Sequence, residues 1–351
     1  MQWKINVELA GTATAMQKLQ QNLKNLQKCK KTLRTPAQGL IPRVDTLLQN
    51  YGLLLAFAAL CTVLSLLSPA FLTVPNAINV LRQISINGVL AIGVTFVILT
   101  GGIDLSLGSA LAVTGVLAAT FAHPDTYPLL VPVAVGLLGG VFIGLVNGYI
   151  ITRFRVASFI VTLGMMTIAR GAALIISKGR PVSNLSASFN FIGNGNLLGI
   201  PVPVVLLAAV FLISYFVLRH TIFGRYVYAV GGNEEAARAS GINTHRIMIA
   251  CYTISAGLAG LAGIIQASRI TTGQPNAGIS YELDAIAAVV IGGTSLSGGI
   301  GGVTGTLIGA LLIGTLNNGL DLLNVSSYYQ QVIKGVIIMG AVILDRERTS
   351  K

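Results

Sequence analysis

Residues 128–151 read PLLVPVAVGLLGGVFIGLVNGYII, a run without one charged side chain. A helix over this run is about 36 Å long, enough to cross the ~30 Å hydrocarbon core of a bilayer. A soluble surface helix would interrupt such a run with polar residues at a period of about 3.6. Gly136, Gly140, Gly144 and Gly148 recur every four residues within it. That spacing sets all four on one helix face and predicts a neighbouring backbone packed close against it.

Nine further apolar runs lie on either side, at 51–70, 84–101, 103–122, 156–177, 201–218, 247–268, 282–297, 300–319 and 329–344. The expectation is an all-α, polytopic integral membrane protein of about ten transmembrane helices. Composition agrees: of 351 residues 53% are hydrophobic and 10% charged, with a mean hydropathy of +0.77. A soluble domain carries roughly 25% charged residues. A soluble enzyme, a disordered chain and a nucleic-acid-binding domain are excluded on that ground. Gly301, Gly305 and Gly309 repeat the four-residue glycine spacing in the ninth run, and Gly257, Gly260 and Gly263 form a related ridge in the seventh.

The net charge of +12 reports orientation. With the N-terminus inside, segments 1–50, 152–155, 219–246 and 345–351 hold 17 of the 23 Lys/Arg. The outer segments hold four, Arg82, Lys178, Arg180 and Arg269. The positive-inside bias therefore sets both termini in the cytoplasm. Three parts follow: a basic cytoplasmic leader over 1–50, a transmembrane domain over 51–345, and a cytoplasmic tail over 346–351. In the leader, Met16, Leu19, Leu23, Leu26 and Leu33 predict a short amphipathic helix. It has neither the length nor the cleavage pattern of a signal peptide.

Two junctions between runs lack hydrophilic loops: Gly101-Gly102-Ile103-Asp104 and Gly292–Gly302. Broken or short helices are expected there, since glycine pairs free the backbone and broken helices belong beside cavities. Eight residues from Gly101 match those from Gly292 at five positions. Asp104 is costly in lipid. It reads either as a cap and pin for the following helix, with Ser106, or as a lining of a solute path. Candidate pathway residues are Asn87, Thr100, Asp104, Ser106, Asn317 and Asn318. Amides and hydroxyls suit a neutral, hydroxyl-rich solute. Arg170 and Lys334 fall within runs and call for snorkelling or a counter-charge, with Glu282, Asp284 and Asp321 as candidates.

The segment 219–246 is the longest internal hydrophilic stretch. Within it Asn233 is a good N-cap, and Glu234 and Glu235 fit the first turn. Ala236 and Ala237 favour helix, and Gly241 supplies a stop after Ser240. A cytoplasmic helix of about two turns is expected, and helices this short need a packing partner. No Gly-x-x-x-x-Gly-Lys-[Ser/Thr] loop occurs in the chain. Neither the histidines His123, His220 and His245 nor the cysteines Cys29, Cys61 and Cys251 have metal-site spacing. No catalytic residue and no metal site is expected.

Taken together, these residues resemble the permease subunits of bacterial ABC sugar importers, ribose permeases among them. The resemblance rests on Gly101-Gly102-Ile103-Asp104-Leu105-Ser106, the Gly231–Gly241 segment, Gln274-Pro275, Tyr281–Val290, Gly292–Gly302 and Asn317-Asn318-Gly319. It covers roughly residues 45–345. It implies a homodimeric permease in the bacterial inner membrane, with a cytoplasmic ABC ATPase and a periplasmic sugar-binding protein as partners. ATP and Mg would bind the ATPase, and this chain would carry no cofactor. Gly232 to Ala237, with Ser240 and Gly241, would form the ATPase-coupling loop. The competing reading is an ion-coupled secondary sugar transporter, in which Asp104 would carry the coupling charge.

Overall fold

The computed structural model describes residues 42–349 apart from residue 125, and side chains over 52–340 apart from residues 125 and 338. The expected leader helix lies outside the described residues. The chain divides into two units, Met1–Gly52 and Leu53–Lys351. Of the first, only the opening of one helix is described, and everything below concerns the second.

Thirteen α-helices occur among the described residues: α1 (Pro42–Leu67), α2 (Val74–Leu99), α3 (Leu107–Phe121), α4 (Leu130–Phe154), α5 (Ser158–Ser177), α6 (Ala187–Asn194), α7 (Val202–His220), α8 (Ile222–Gly232), α9 (Glu234–Ala239), α10 (Thr244–Arg269), α11 (Tyr281–Ile291), α12 (Val303–Leu322) and α13 (Ser327–Thr349). One two-stranded hairpin, β1 (Asn196–Leu197) with β2 (Ile200–Pro201), joins α6 to α7. Among the described residues six helices, α2, α4, α5, α7, α10 and α12, are long and apolar enough to cross a membrane. The chain is an all-α polytopic membrane protein.

The bundle is organised around α2, whose residues Ile84–Leu99 are all buried. A helix that is apolar on every side belongs in a core. It packs on α10, α12, α11 and α7. The outer helices show the inverse pattern. Leu138, Phe142, Ile168, Ile175, Leu212 and Phe216 are exposed, the belt that lipid would cover.

The four evenly spaced glycines of α4 lie against α10. A methyl on Gly148 would stand 2.7 Å from Ile249 Cα, one on Gly144 2.6 Å from Thr253 Cα, and one on Gly136 2.9 Å from Ile264 Cδ1. Gly140 meets the backbone of Ala256 and Gly260. The two helices thus run antiparallel with their backbones in contact. On α12, Gly305 faces Gly292 and Gly309 faces Ala288 of α11. Gly301 does not belong to that ridge. It precedes the helix, has φ of 123°, and packs on Thr294 in the connecting loop.

Other boundaries differ from the sequence reading for local reasons. The run assigned to 84–101 begins ten residues earlier, at Val74, because Pro75 sits in the first turn where its missing N–H costs nothing. The run assigned to 282–297 stops at Ile291, where Gly293 turns left-handed at φ 88°. Its 11 residues give a helix of about 16 Å, a half-span. The runs assigned to 103–122 and 300–319 start later, at Leu107 and Val303. Segment 219–246 holds a second helix, α8, that its charge pattern concealed.

Candidate functional site

The first break follows α2. Thr100 closes the helix, its hydroxyl donating to the Val97 carbonyl at 2.7 Å, and Gly101 turns left-handed at φ 77°. The chain then runs without helix to Ser106. Non-helical backbone inside an apolar bundle requires internal partners, and they are present. The Ile103 amide donates to Ser158 Oγ at 3.1 Å, and the Ile103 carbonyl accepts from Thr162 Oγ1 at 3.3 Å.

Asp104 is completely buried at the centre of this break. Its Oδ1 accepts from the Ser106 amide at 3.0 Å and the Ser106 hydroxyl at 2.6 Å, and its Oδ2 accepts from Ser255 Oγ at 3.1 Å. Asn147 Nδ2 donates to Ser106 Oγ at 3.1 Å. The carboxylate therefore ties the break to α4 and α10 through neutral donors. The N-cap position of α3 belongs to Ser106, not Asp104. Asp104 acts one step earlier, by holding the Ser106 amide. The Tyr252 and Asn147 side chains also end here, with Tyr252 Oη and Asn147 Oδ1 buried and unpartnered.

The second break folds onto the first. The Gly299 amide donates to the Leu99 carbonyl at 3.0 Å, and the Ser295 amide donates to Ile300 O at 3.0 Å. Tyr228 Oη on α8 donates to the Gly301 carbonyl at 2.9 Å. A methyl on Gly298 would stand 2.8 Å from the Gly231 carbonyl and 2.9 Å from the Gly101 amide. Both glycine breaks and the end of α8 thus converge on one point, immediately before α9.

α9 is capped at both ends. Asn233 Oδ1 accepts from the Ala236 amide at 2.9 Å. At the far end Gly241, at φ 85°, donates to Arg238 O and the Ile242 amide donates to Ala237 O, a Schellman closure. Glu234 pairs with Arg238 and accepts from Thr244 Oγ1 at 3.1 Å, which fixes the helix to the start of α10. Only Ala237 turns inward, at 5% exposure, while Gly232, Asn233, Glu235, Ala236 and Ser240 face outward.

The remaining polar candidates form separate groups. Asn317 Nδ2 donates to Asp284 Oδ2 at 3.2 Å, and Lys334 Nζ donates to the same oxygen at 2.8 Å. Lys334 thereby finds the counter-charge that the sequence demanded, leaving Asn317 Oδ1 buried and unpartnered. Asn318 exchanges two amide hydrogen bonds with Asn76, at 2.9 and 3.1 Å. Asn87 is buried on α2. Arg170 neither snorkels nor pairs within salt-bridge distance. It donates to the Pro275 and Ala277 carbonyls at 2.6 and 2.8 Å. Sequence reasoning did not single out Ser255, Ser158, Thr162 or Asn76. Small hydroxyls cost little in an apolar run, and Asn76 lay in a segment read as loop.

The bundle and its two converging breaks define a multi-pass membrane protein with internally satisfied broken helices. Residues 76–342 match the family described as the branched-chain amino acid transport system / permease component, and the chain belongs to that family. It is 50% identical over 299 residues to the ribose import permease protein RbsC of Escherichia coli (strain K12), covering 84% of this chain and 93% of that protein. RbsC of Bacillus subtilis (strain 168) is 48% identical over 308 residues, 87% of this chain and 95% of that one. The L-arabinose ABC transporter permease protein AraH of Azospirillum brasilense is 39% identical over 305 residues, 87% of this chain and 90% of that one. No solved structure matches the chain. As a permease subunit it is a transport component, not an enzyme.

Proposed function

We propose that this chain is the membrane permease of an ATP-driven importer that moves ribose, or a closely related sugar, across the bacterial inner membrane. The observation that carries this reading is its near end-to-end similarity to a ribose import permease. Two copies would form the membrane core, with both termini cytoplasmic. A separate ATPase would supply energy, binding ATP and Mg, and a periplasmic binding protein would deliver the sugar.

The capped helix α9 supports the coupling assignment. It is capped at both ends, held to the bundle by buried Ala237 and by Glu234 on Thr244, and exposed on its outer face. A partner gripping that face would move α8, whose Gly231 lies against Leu99 and Gly299. The motion would reach both breaks directly. Thr100, Asn87, Asn317 and Asn318 are assigned to a neutral solute's path. Asp104 and Ser106 hold the break beside it.

The test is uptake of labelled ribose by the chain reconstituted with its ATPase and binding protein, with arabinose, xylose and galactose as competitors. ATP-dependent uptake competed most strongly by unlabelled ribose is expected. Uptake by the chain alone, without ATP, overturns the reading.

A further inference from the structure

At the α9 end of the bundle a cleft of about 470 Å³ opens between the end of α7, the start of α8 and the loop entering α12. Tyr215, Arg219, Arg225, Tyr228 and Thr304 line it. Arg219 and Arg225 are both exposed, and among the described residues neither has an acidic partner or a side-chain hydrogen bond. Elsewhere in the described bundle the intramembrane cations are tied down: Lys334 on Asp284, Arg170 on two carbonyls. Two guanidinium groups sharing one cleft without an acid leave a local excess of positive charge.

The apolar approach to the cleft is continuous with the helix surface. Leu212, Phe216 and Arg219 follow one another at spacings of four and three, so they share a face of α7. Leu212 and Phe216 are 63% and 59% exposed on that face. An exposed apolar stripe therefore ends in a cationic cleft at the level where the helix leaves the bilayer. This is the profile of an amphiphile with an anionic head. Guanidinium forks match phosphate oxygens, and basic pockets between membrane helices take acidic head groups.

We propose that this cleft binds the phosphate head group of an anionic phospholipid, with its acyl chains along the Leu212–Phe216 face. The proposal rests on the membrane-permease reading, but its test reads lipid binding, not sugar uptake, so either can fail without the other. The full chain is held in phosphatidylcholine nanodiscs with a trace of fluorescent phosphatidylglycerol. Unlabelled phosphatidylglycerol is expected to displace the probe, and added phosphatidylcholine and inorganic phosphate are not. The double variant R219Q/R225Q should weaken phosphatidylglycerol binding by roughly tenfold to thirtyfold, as two charges near a membrane surface imply. Displacement by inorganic phosphate would assign the cleft to a free anion and overturn the lipid. Equal displacement by phosphatidylcholine, or an unchanged affinity in the double variant, would overturn the site. A second measurement needs no variant: phenylglyoxal labelling of the wild-type chain. Phosphatidylglycerol should shield Arg219 and Arg225 while the exposed Arg153 and Arg246 stay reactive, and uniform labelling of all four overturns the proposal.

Discussion

Gly144→Ala adds one methyl at the tightest point of the α4–α10 seam. The new carbon would stand 2.6 Å from Thr253 Cα and 2.8 Å from the Tyr252 carbonyl carbon, closer still to the Tyr252 oxygen. Ordinary carbon contacts lie at roughly 3.5–4.0 Å. The obstructing atoms are backbone, so no rotamer change relieves them, and the helices must part by about 1 Å. Overpacking of this kind costs about 1–3 kcal/mol. The better helix propensity of alanine offsets up to ~1 kcal/mol. Gly164→Ala is the control, because nothing lies within 4 Å of a methyl there. That variant should be neutral or slightly stabilised. The reporter is Cys251, fully buried beside Tyr252 on α10, in a chain whose Cys29 and Cys61 are replaced by serine. On heating in detergent, a thiol-reactive dye labels Cys251 when the packing around α10 comes apart, so its midpoint reports the stability of the bundle that the seam supports. At about 2–4 °C per kcal/mol, Gly144→Ala should lower the labelling midpoint by several degrees. A midpoint equal to that of the parent chain and of Gly164→Ala would refute the claim that backbone contact limits this seam.

Asp104→Ala removes the acceptor of three hydrogen bonds and strands buried donors on Ser106 and Ser255. At ~1–3 kcal/mol for each stranded donor, folded yield in the membrane should collapse. Asp104→Asn keeps an acceptor for the Ser106 amide and offers a donor to Ser255. It should retain ATP-driven uptake, whereas loss of a proton- or sodium-dependent uptake in that variant would revive the ion-coupled alternative. Lys334→Gln or Asp284→Asn alone leaves one charge without its partner beside Asn317, which destabilises strongly in a low-dielectric setting. Combined, the two substitutions remove both charges and keep hydrogen-bonding groups. Detergent-extracted yield measured by gel filtration should fall in each single variant and recover in the double one; failure of the double variant to recover would mean that the pair is not the determinant.

How much of this was legible depended on the range of the interaction. The apolar runs at 128–151 and 156–177 announced α4 and α5, because crossing hydrocarbon imposes length and composition on one contiguous stretch. The caps of α9 were legible for the same reason, since Asn233 and Gly241 act within a few residues of themselves. The half-span α11 was misread because a buried half-helix is as apolar as a whole one, and only Gly293's left-handed turn stops it. The groups gathered around Asp104 come from distant sequence: Ser255 of α10, 151 positions away, bonds the carboxylate, and Asn147 of α4, 43 away, bonds Ser106 beside it. Nothing in a single chain marks Ser255 as one of them.

The short echo between residues 101–108 and 292–299 gained its meaning only in three dimensions. Each stretch is a stop in a helix that lipid would otherwise prolong, and each leaves backbone groups that hydrocarbon cannot satisfy. The structure answers by setting one break against the other, Gly299 N–H on Leu99 C=O, with the end of α8 wedged beside them. Glycines recur at this junction because a side chain on Gly231 or Gly298 would occupy space already taken by backbone. Separating α8 from the breaks would strip the cover from the Gly299–Leu99 bond, so in this fold the cost of moving any one of the three segments falls on the other two. α9 begins three residues after Gly231, so the proposed coupling role makes a definite demand: a pull on its outward face has to be carried through Gly231 to Leu99 and Gly299.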